Sequence, residues 1–144
     1  MTETRIGPLG LSVGQRARRT KTITAKGVEL YAEITGDRNP LHFDASFAGR
    51  TRFKRLVAQG GITSGMLNAL VAMDLPGPGT VFLHVDWNYR APVRPGDTIT
   101  GEVIVTAVRE DKPIIELDTR VVLADGTVVL DGHAVCYTMP LPRR

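Results

Sequence analysis

The order of apolar and polar positions predicts two helices in the first half of the chain. Thr24 can cap a short helix, and Gly36 lies where a helix end favours the left-handed backbone. A longer helix is predicted over 61–74, because apolar side chains recur there at helical spacing. Its apolar face holds Ile62, Met66, Leu67, Leu70 and Val71, opposite Thr63, Ser64 and Asn68. Gly65 inside this helix costs about 1 kcal/mol relative to alanine, so we expect another element to pack closely against the backbone there.

After the segment LPGPG the pattern changes to a period of two, which is typical of β-strands. From 81 to 89 the apolar side chains alternate with other residues, and Val81, Leu83, Val85, Trp87 and Tyr89 share one face. Further strands are predicted over 98–108, 114–123 and 128–137, with PGD, DKP and DG as the turns. An antiparallel meander preceded by one long helix predicts an α+β fold, with a curved sheet wrapped around that helix.

Composition narrows the class of protein. A chain of 144 residues that is 42% hydrophobic and 23% charged is predicted to form one globular domain over 1–144. The net charge of +3 is too small and too dispersed to indicate a nucleic-acid surface. One cysteine and three scattered histidines predict neither a disulfide nor a metal site. No apolar run approaches the ~18 residues of a membrane span or forms a signal peptide, so we expect a cytoplasmic protein with no membrane partner.

Two segments carry candidate chemistry. Asp37 and His42 lie in one loop, GDRNPLHFD, and a carboxylate beside an imidazole can hold and deprotonate a water molecule. On spacing alone the alternative stays open, namely that Asp37 caps a turn and His42 is an ordinary loop histidine. Gln59, Gly60 and Gly61 precede the long helix, where free backbone N–H groups can stabilise an oxyanion. The alternative there is a simple joint between loop and helix.

The remaining polar and reactive residues give weaker signals. The basic run Arg50, Arg52, Lys54 and Arg55 can attract phosphates, but such a run is usually a solvated surface. Cys136 is predicted to be a small apolar core residue. His84 and His133 lie on strand patterns and are interpreted as structural.

Taken together, the segments resemble a known family. GDRNPLHFD, AQGG, LPGPG, YRAPVRPGDTITGEV and REDKP occur in the order and at the intervals found in the MaoC-like family of (R)-specific enoyl-CoA hydratases. The resemblance covers about residues 10–138. It implies a hot-dog fold, in which an antiparallel sheet wraps a long helix, and a homodimer.

The same resemblance implies roles for individual residues. Asp37 and His42 would activate water for addition to a trans-2-enoyl-CoA thioester, and the Gly60 N–H would polarise the thioester carbonyl. Asn39 would fix the loop, and Asn39, Gln59 and Asn68 are the expected substrate-binding positions. Gln59 and Asn68 depart from the family, which commonly has histidine and serine at the corresponding places. The expected product is the (R)-3-hydroxyacyl-CoA, with no cofactor and no metal.

The CoA part of the substrate would need an apolar tunnel and a basic mouth. Five cations are candidates for that mouth: Arg50, Arg52, Lys54, Arg90 and Arg94. Three alternatives to the hydratase remain open. The chain could run the reverse dehydration on a specialised hydroxyacyl-CoA or carrier-bound thioester, act as a hot-dog thioesterase, or bind acyl-CoA without turnover.

Overall fold

A five-stranded antiparallel sheet and one long helix form the framework of the protein, whose computed structural model describes residues 10–140. The strands lie in the order β1-β3-β4-β5-β2. Their bounds are β1 Arg16–Thr22, β2 Thr80–Tyr89, β3 Thr98–Val108, β4 Ile114–Leu123 and β5 Val128–Thr138. The helices are α1 Ala25–Thr35, α2 Pro40–Phe43, α3 Ala45–Gly49 and α4 Gly60–Met73. The strands predicted in the second half of the chain are therefore confirmed.

The core lies between α4 and the sheet. Leu67 and Leu70 of α4 are fully buried, as are Ile99 and Val103 of β3. A Cβ at Gly101 would lie 3.1 Å from Leu70 Cδ1, so glycine at this strand position lets the helix pack closely on the sheet. The sheet wraps the helix as the resemblance implies, which is the hot-dog fold.

Strand β1 was not predicted, because its sequence RARRTKT contains no apolar alternation. It is an edge strand whose outer face is held by polar contacts. The hydroxyl oxygens of Thr20 and Thr100 lie 2.8 Å apart across the β1–β3 pair. The buried carboxylate of Glu102 on β3 contacts Arg18 of β1 and Arg120 of β4. Cross-strand polar pairs therefore take the place of an apolar face.

The predicted apolar face of β2 is wrong in its details, because the strand contains a bulge between Phe82 and His84. The bulge places Phe82 on the core side with Trp87, and the two rings meet edge to face with centroids 5.6 Å apart. Four residues of the predicted core face are exposed in the isolated chain: Val81, Leu83, Val85 and Tyr89. The apolar surface of β2 is thus divided between the core and solvent.

Both helix predictions hold with small changes. Thr24 caps α1 by accepting a hydrogen bond from the Gly27 N–H, and Gly36 ends the helix with a φ of 81°. In α4, Thr63 lies on the buried side and not on the polar side. The expectation that an element packs against Gly65 is wrong, since a Cβ there would meet no atom within 4 Å. No helix among residues 10–140 is long and apolar enough to span a membrane.

Candidate active site

The loop after α1 is built by its own side chains. The Asn39 side chain caps α2 by accepting from the Leu41 N–H at 3.0 Å, and Pro40 occupies the first helical position, where a missing N–H costs nothing. The Asn39 N–H in turn donates to Asp37 Oδ1 at 3.2 Å. This local network fixes the Asp37 carboxylate and brings His42 close to it. Asp37, Asn39, Pro40 and His42 of the motif Asp-x-Asn-Pro-x-His therefore each have a structural part in the loop.

His42 is held in one tautomer by a backbone carbonyl. Its Nδ1 lies 2.6 Å from the Val57 oxygen, and because a carbonyl can only accept, Nδ1–H is the donor. In the neutral imidazole, Nε2 therefore carries the lone pair, and it lies 3.5 Å from Asp37 Oδ2. The His42 side chain is 10% exposed and that of Asp37 is 39% exposed. Two acceptors that face each other at the surface can share the protons of one water molecule.

The N-terminus of α4 presents a free backbone donor. Gly60 is its first residue, and Gln59 at the cap position makes no side-chain capping bond. Gly60 is exposed, so its N–H is accessible and lies at the positive end of the helix dipole. A Cβ at Gly60 would lie 3.1 Å from Cε1 of Tyr89, so the Tyr89 ring covers one side of this position.

The segment before α4 joins the Asp37 loop to this helix end. The Val57 N–H donates to the Leu41 carbonyl at 3.1 Å, and the Ala58 N–H donates to the Val93 carbonyl at 2.7 Å. Together with the bond from His42 to Val57, these contacts tether the loop only a few residues before Gly60. Asp37, His42 and the Gly60 N–H are thus brought into one region of the molecule.

Gln59 is buried, with 1% of its surface exposed, and its side chain points to α1. Its Nε2 donates to the Val28 carbonyl at 3.0 Å, while Oε1 has no hydrogen-bond partner within the described residues. The structure therefore places Gln59 as a tether between α1 and α4. Its assignment as a substrate-binding residue stays a prediction.

Two cavities adjoin the start of α4. The smaller, of about 480 Å³, is lined by Gly60, Thr63, Tyr89 and Arg52 among others. The larger, of about 590 Å³, lies between β1, α1 and α4 and is lined by residues that include Tyr31, Ile62, Gly65 and Met66. One cavity therefore opens beside Gly60 and the other beside the residues that follow it.

The other predicted positions differ in how the structure uses them. Asn39 is exposed and caps α2, which agrees with the expected role in fixing the loop. Asn68 is exposed on α4 and lines neither of the two cavities. The roles of Asn39 and Asn68 in substrate binding stay predictions.

Several of the cations predicted for a basic mouth have partners within the protein. The Arg94 guanidinium donates to the carbonyls of Phe53, Arg55 and Leu56 at 2.8, 3.1 and 3.3 Å. It therefore holds the 53–56 segment in place, and its assignment to phosphate binding is not supported.

Two further cations of that set also have intramolecular contacts. Arg90 Nε lies 3.1 Å from Asp131 Oδ1, and Arg50 stacks on Phe47 with its guanidinium carbon 5.9 Å from the ring centroid. Arg52 is exposed and lines the smaller cavity, so it is the best placed of the predicted cations.

Two residues near the site were missed by the sequence analysis. Tyr89 contacts Gly60, and Tyr31 contacts Gly61, where a Cβ would lie 1.7 Å from the tyrosine hydroxyl. Both tyrosines sit at apolar positions of their patterns, so the sequence carries no signal for these contacts. Among residues 10–140, no group of three or more His, Cys, Asp or Glu side chains is arranged so that it could hold a metal ion.

Cys136 is a buried core residue, as expected. Burial raises the pKa of the Cys136 thiol to about 12, so it is not a nucleophile at neutral pH. His133 lies between Glu116 and Asp118 on the outer face of the sheet.

Comparison with known proteins gives a consistent result. The family model described as MaoC like domain matches residues 11–127. The chain is 41% identical over 125 residues to an (R)-specific enoyl-CoA hydratase of Aeromonas caviae, covering 87% of this chain and 93% of that protein. It is 40% identical over 125 residues to a 3-hydroxybutyryl-CoA dehydratase of Methylorubrum extorquens, covering 87% of this chain and 79% of that protein.

Solved structures agree with the sequence matches. The (R)-hydratase of A. caviae superimposes with a TM-score of 0.86 at 40% identity, over 90% of this chain and 98% of that chain. An R-hydratase of Pseudomonas aeruginosa superimposes with a TM-score of 0.85 at 34% identity, over 97% of this chain and 96% of that chain. With the motif geometry, the family model and these relatives in agreement, the chain belongs to the MaoC-like family of hot-dog proteins.

Proposed function

We propose that the protein catalyses the reversible hydration of a trans-2-enoyl-CoA thioester to the (R)-3-hydroxyacyl-CoA. The observation that carries this proposal is the arrangement of Asp37 and His42, in which Nε2, the ring nitrogen not bonded to the Val57 carbonyl, lies 3.5 Å from a carboxylate oxygen. Two acceptors at this distance are suited to hold and deprotonate one water molecule. The relatives named as (R)-specific enoyl-CoA hydratases support the same reaction.

The reaction adds the elements of water across the double bond. The Asp37–His42 pair removes a proton from the bound water, and the water oxygen forms a bond to the β-carbon. The π electrons of the double bond move towards the thioester, whose oxygen becomes an enolate oxygen. The Gly60 N–H donates to that oxygen, and a proton from the acid/base pair is then delivered to the α-carbon. No electron is gained or lost overall, so the reaction requires no redox cofactor.

The two cavities offer places for the two ends of the substrate. With the thioester oxygen at Gly60, the pantetheine arm is assigned to the smaller cavity, where the exposed Arg52 supplies positive charge. The acyl chain is assigned to the larger cavity. A volume of about 590 Å³ falls within the usual range of ligand pockets, roughly 300 to 1,000 Å³, and accommodates groups larger than a four-carbon acyl chain.

The protein is also proposed to be a homodimer. Strand β2 is an edge strand with three exposed aliphatic side chains, Val81, Leu83 and Val85. An unpaired apolar edge favours pairing with another strand, and a second copy of β2 supplies one with matching apolar residues. The sheets of two subunits would then be joined through this edge.

The direction of the reaction is set by substrate supply, because hydration and dehydration share one equilibrium. The M. extorquens relative carries the name of a dehydratase, which makes dehydration of a 3-hydroxyacyl-CoA the second candidate. Both directions use the same residues.

The test is the ultraviolet absorbance of the conjugated enoyl thioester when the protein meets crotonyl-CoA and a panel of longer enoyl-CoAs. We expect loss of this absorbance with formation of the (R)-hydroxy product, identified by chiral chromatography, and its reappearance from the hydroxyacyl-CoA. Release of free thiol would contradict the proposal in favour of a thioesterase. Binding without turnover of any panel member would contradict it in favour of an acyl-CoA binding protein.

A further inference from the structure

The hydroxyl of Tyr31 occupies the space of a side chain at position 61. A Cβ added to Gly61 would lie 1.7 Å from the hydroxyl oxygen of Tyr31, 2.3 Å from Cζ and 2.8 Å from Cε2. Atoms cannot approach so closely, so residue 61 must be glycine for as long as Tyr31 keeps this position. The pair thus places a phenol hydroxyl against the first turn of α4, one residue after Gly60.

Tyr31 is one of the residues that line the larger cavity. Tyr31 is partly buried, and none of the described residues forms a hydrogen bond with its side chain. The α4 wall of the cavity is apolar, with Ile62, Met66 and Ala69, and α1 adds Leu30 and Ile34. The other polar residues of the lining come from 19–26, on and after β1. Tyr31 therefore supplies the polar side chain on the cavity wall that is formed by α4 and the second half of α1.

A hydroxyl in such a place favours a ligand that can hydrogen-bond to it. An apolar ligand that covers the hydroxyl removes its contact with water and leaves it unpaired, which costs about 1 to 3 kcal/mol. Sites that hydrogen-bond a substrate hydroxyl discriminate strongly against the analogue that lacks it, whereas apolar pockets discriminate weakly. The Tyr31 hydroxyl is thus suited to set specificity.

We propose that Tyr31 is a specificity-determining residue, which selects enoyl-CoA thioesters whose acyl chain carries a hydroxyl or carbonyl oxygen close to the reacting double bond. The inference rests on the proposed function, because it assumes that the acyl chain extends from Gly60 into the larger cavity. Since Gly61 directly follows Gly60, the Tyr31 hydroxyl meets the acyl chain near its reacting end. The oxygen on the chain accepts a hydrogen bond from the Tyr31 hydroxyl.

The experiment compares two substrates in the full-length protein and its Tyr31→Phe variant. The first is a trans-2-enoyl-CoA with a hydroxyl at C4 or C5, and the second is the same chain without the hydroxyl. We expect the wild type to favour the hydroxylated substrate in kcat/KM by about 10- to 100-fold. A preference of this size follows when one substrate forms a hydrogen bond and the other leaves the same group unpaired. In Tyr31→Phe the two kcat/KM values should become about equal, because the hydroxylated substrate loses its hydrogen bond and the plain substrate no longer leaves a hydroxyl unpaired. Tyr137→Phe is the matched control, because Tyr137 follows the buried Cys136 on β5 and so faces the outer side of the sheet.

Two results would overturn the inference. An equal loss on both substrates would mean that the hydroxyl acts on the thioester or on the fold, and no loss on either would mean that it only fills space. A second measurement is independent of turnover, namely calorimetric binding of the saturated acyl-CoA pair with and without the chain hydroxyl.

If Tyr31→Phe loses the preference in binding while the wild type hydrates neither enoyl-CoA, the proposed function fails and the Tyr31 contact stands. If the plain substrate is hydrated but no preference appears, the proposed function stands and the Tyr31 inference fails.

Discussion

Nε2 of His133 lies 3.1 Å from Oε1 of Glu116 on the neighbouring strand, and its Nδ1 lies 3.3 Å from Oδ1 of Asp118. The hydrogen bond to Glu116 is the largest cause that raises the pKa of His133, and partial burial opposes it. Two carboxylates of β4 therefore contact this imidazole, and Asp86 is paired with His133 in the β2–β5 register. The outer face of the sheet therefore favours the imidazolium form.

The raised pKa predicts a pH-dependent stability. The pKa of His133 in the folded protein is above its unfolded value of about 6.5. The stabilisation by the imidazolium is therefore fully present below about pH 6.5, and it is lost as the pH rises through the folded pKa. We expect His133→Gln to lower the free energy of unfolding by about 0.2 to 1 kcal/mol more at pH 6 than at pH 9. Urea unfolding at the two pH values measures this difference. His84→Gln is the control, since none of the described residues forms an ion pair or hydrogen bond with the His84 side chain, and an equal pH effect in both variants would contradict the prediction.

The acid/base assignment predicts large losses of activity without loss of folding. Asp37→Asn and His42→Gln should each lower kcat by at least ~10², which is the usual contribution of a general acid or base. Steady-state kinetics on the best substrate of the panel measures the effect, and thermal unfolding checks the fold. Asp118→Asn makes the same chemical change on the outer face of the sheet and should leave kcat near the wild-type value. Near-normal turnover in both site variants would remove the Asp37–His42 pair from the mechanism.

The backbone donor at Gly60 can be tested with a matched pair of substitutions. Gly60→Pro deletes the N–H and should lower kcat by about 10² to 10³, while proline is tolerated at a first helical position. Gly60→Ala adds a Cβ at the same place, 3.1 Å from Tyr89 Cε1, but keeps the N–H. Because the Tyr89 side chain is exposed and can move slightly, the alanine variant should lose far less activity. Equal kcat values in the two folded variants would show that the oxyanion is stabilised elsewhere.

Two glycines on one side of α4 should respond in opposite ways to alanine. Gly61→Ala forces its Cβ into the Tyr31 hydroxyl and should destabilise the protein by about 1 to 3 kcal/mol through overpacking. Gly65→Ala adds a methyl group where no atom lies within 4 Å, and it should stabilise the helix by up to about 1 kcal/mol. Denaturant titrations of both variants give the comparison. A neutral Gly61→Ala would mean that Tyr31 moves freely away from α4.

The proposed dimer predicts that a charge on the β2 edge separates the subunits. Leu83 is 56% exposed at the bulge, and Leu83→Glu should shift the protein towards a monomer in sedimentation velocity, because each interface would gain two carboxylates. Val13→Glu changes a similarly exposed aliphatic residue that is 55% exposed and lies outside β2. This control should remain a dimer. A wild type that sediments as a monomer at all concentrations would contradict the dimer itself.

Some features of this protein follow from local sequence alone. The period of the apolar residues predicts α4 and the four C-terminal strands, because those elements bury one face and need apolar side chains at fixed intervals. The segment Asp37-Arg-Asn-Pro-Leu-His42 specifies its own loop, since its capping and turn bonds join residues no more than four apart. Local rules therefore suffice to place Asp37 and His42 in one structured loop.

Other features were decided only by the tertiary structure. Strand β1 has no apolar face and exists because β3 provides its partners, and the bulge in β2 redirects Phe82 towards Trp87. The tautomer of His42 depends on the carbonyl of Val57, fifteen residues away. The contact of Tyr31 with Gly61 joins α1 to α4 across thirty residues, and neither residue departs from its local pattern. Such contacts depend on how two elements pack, and the periodicity of a single element specifies which face is buried but not which atom meets it.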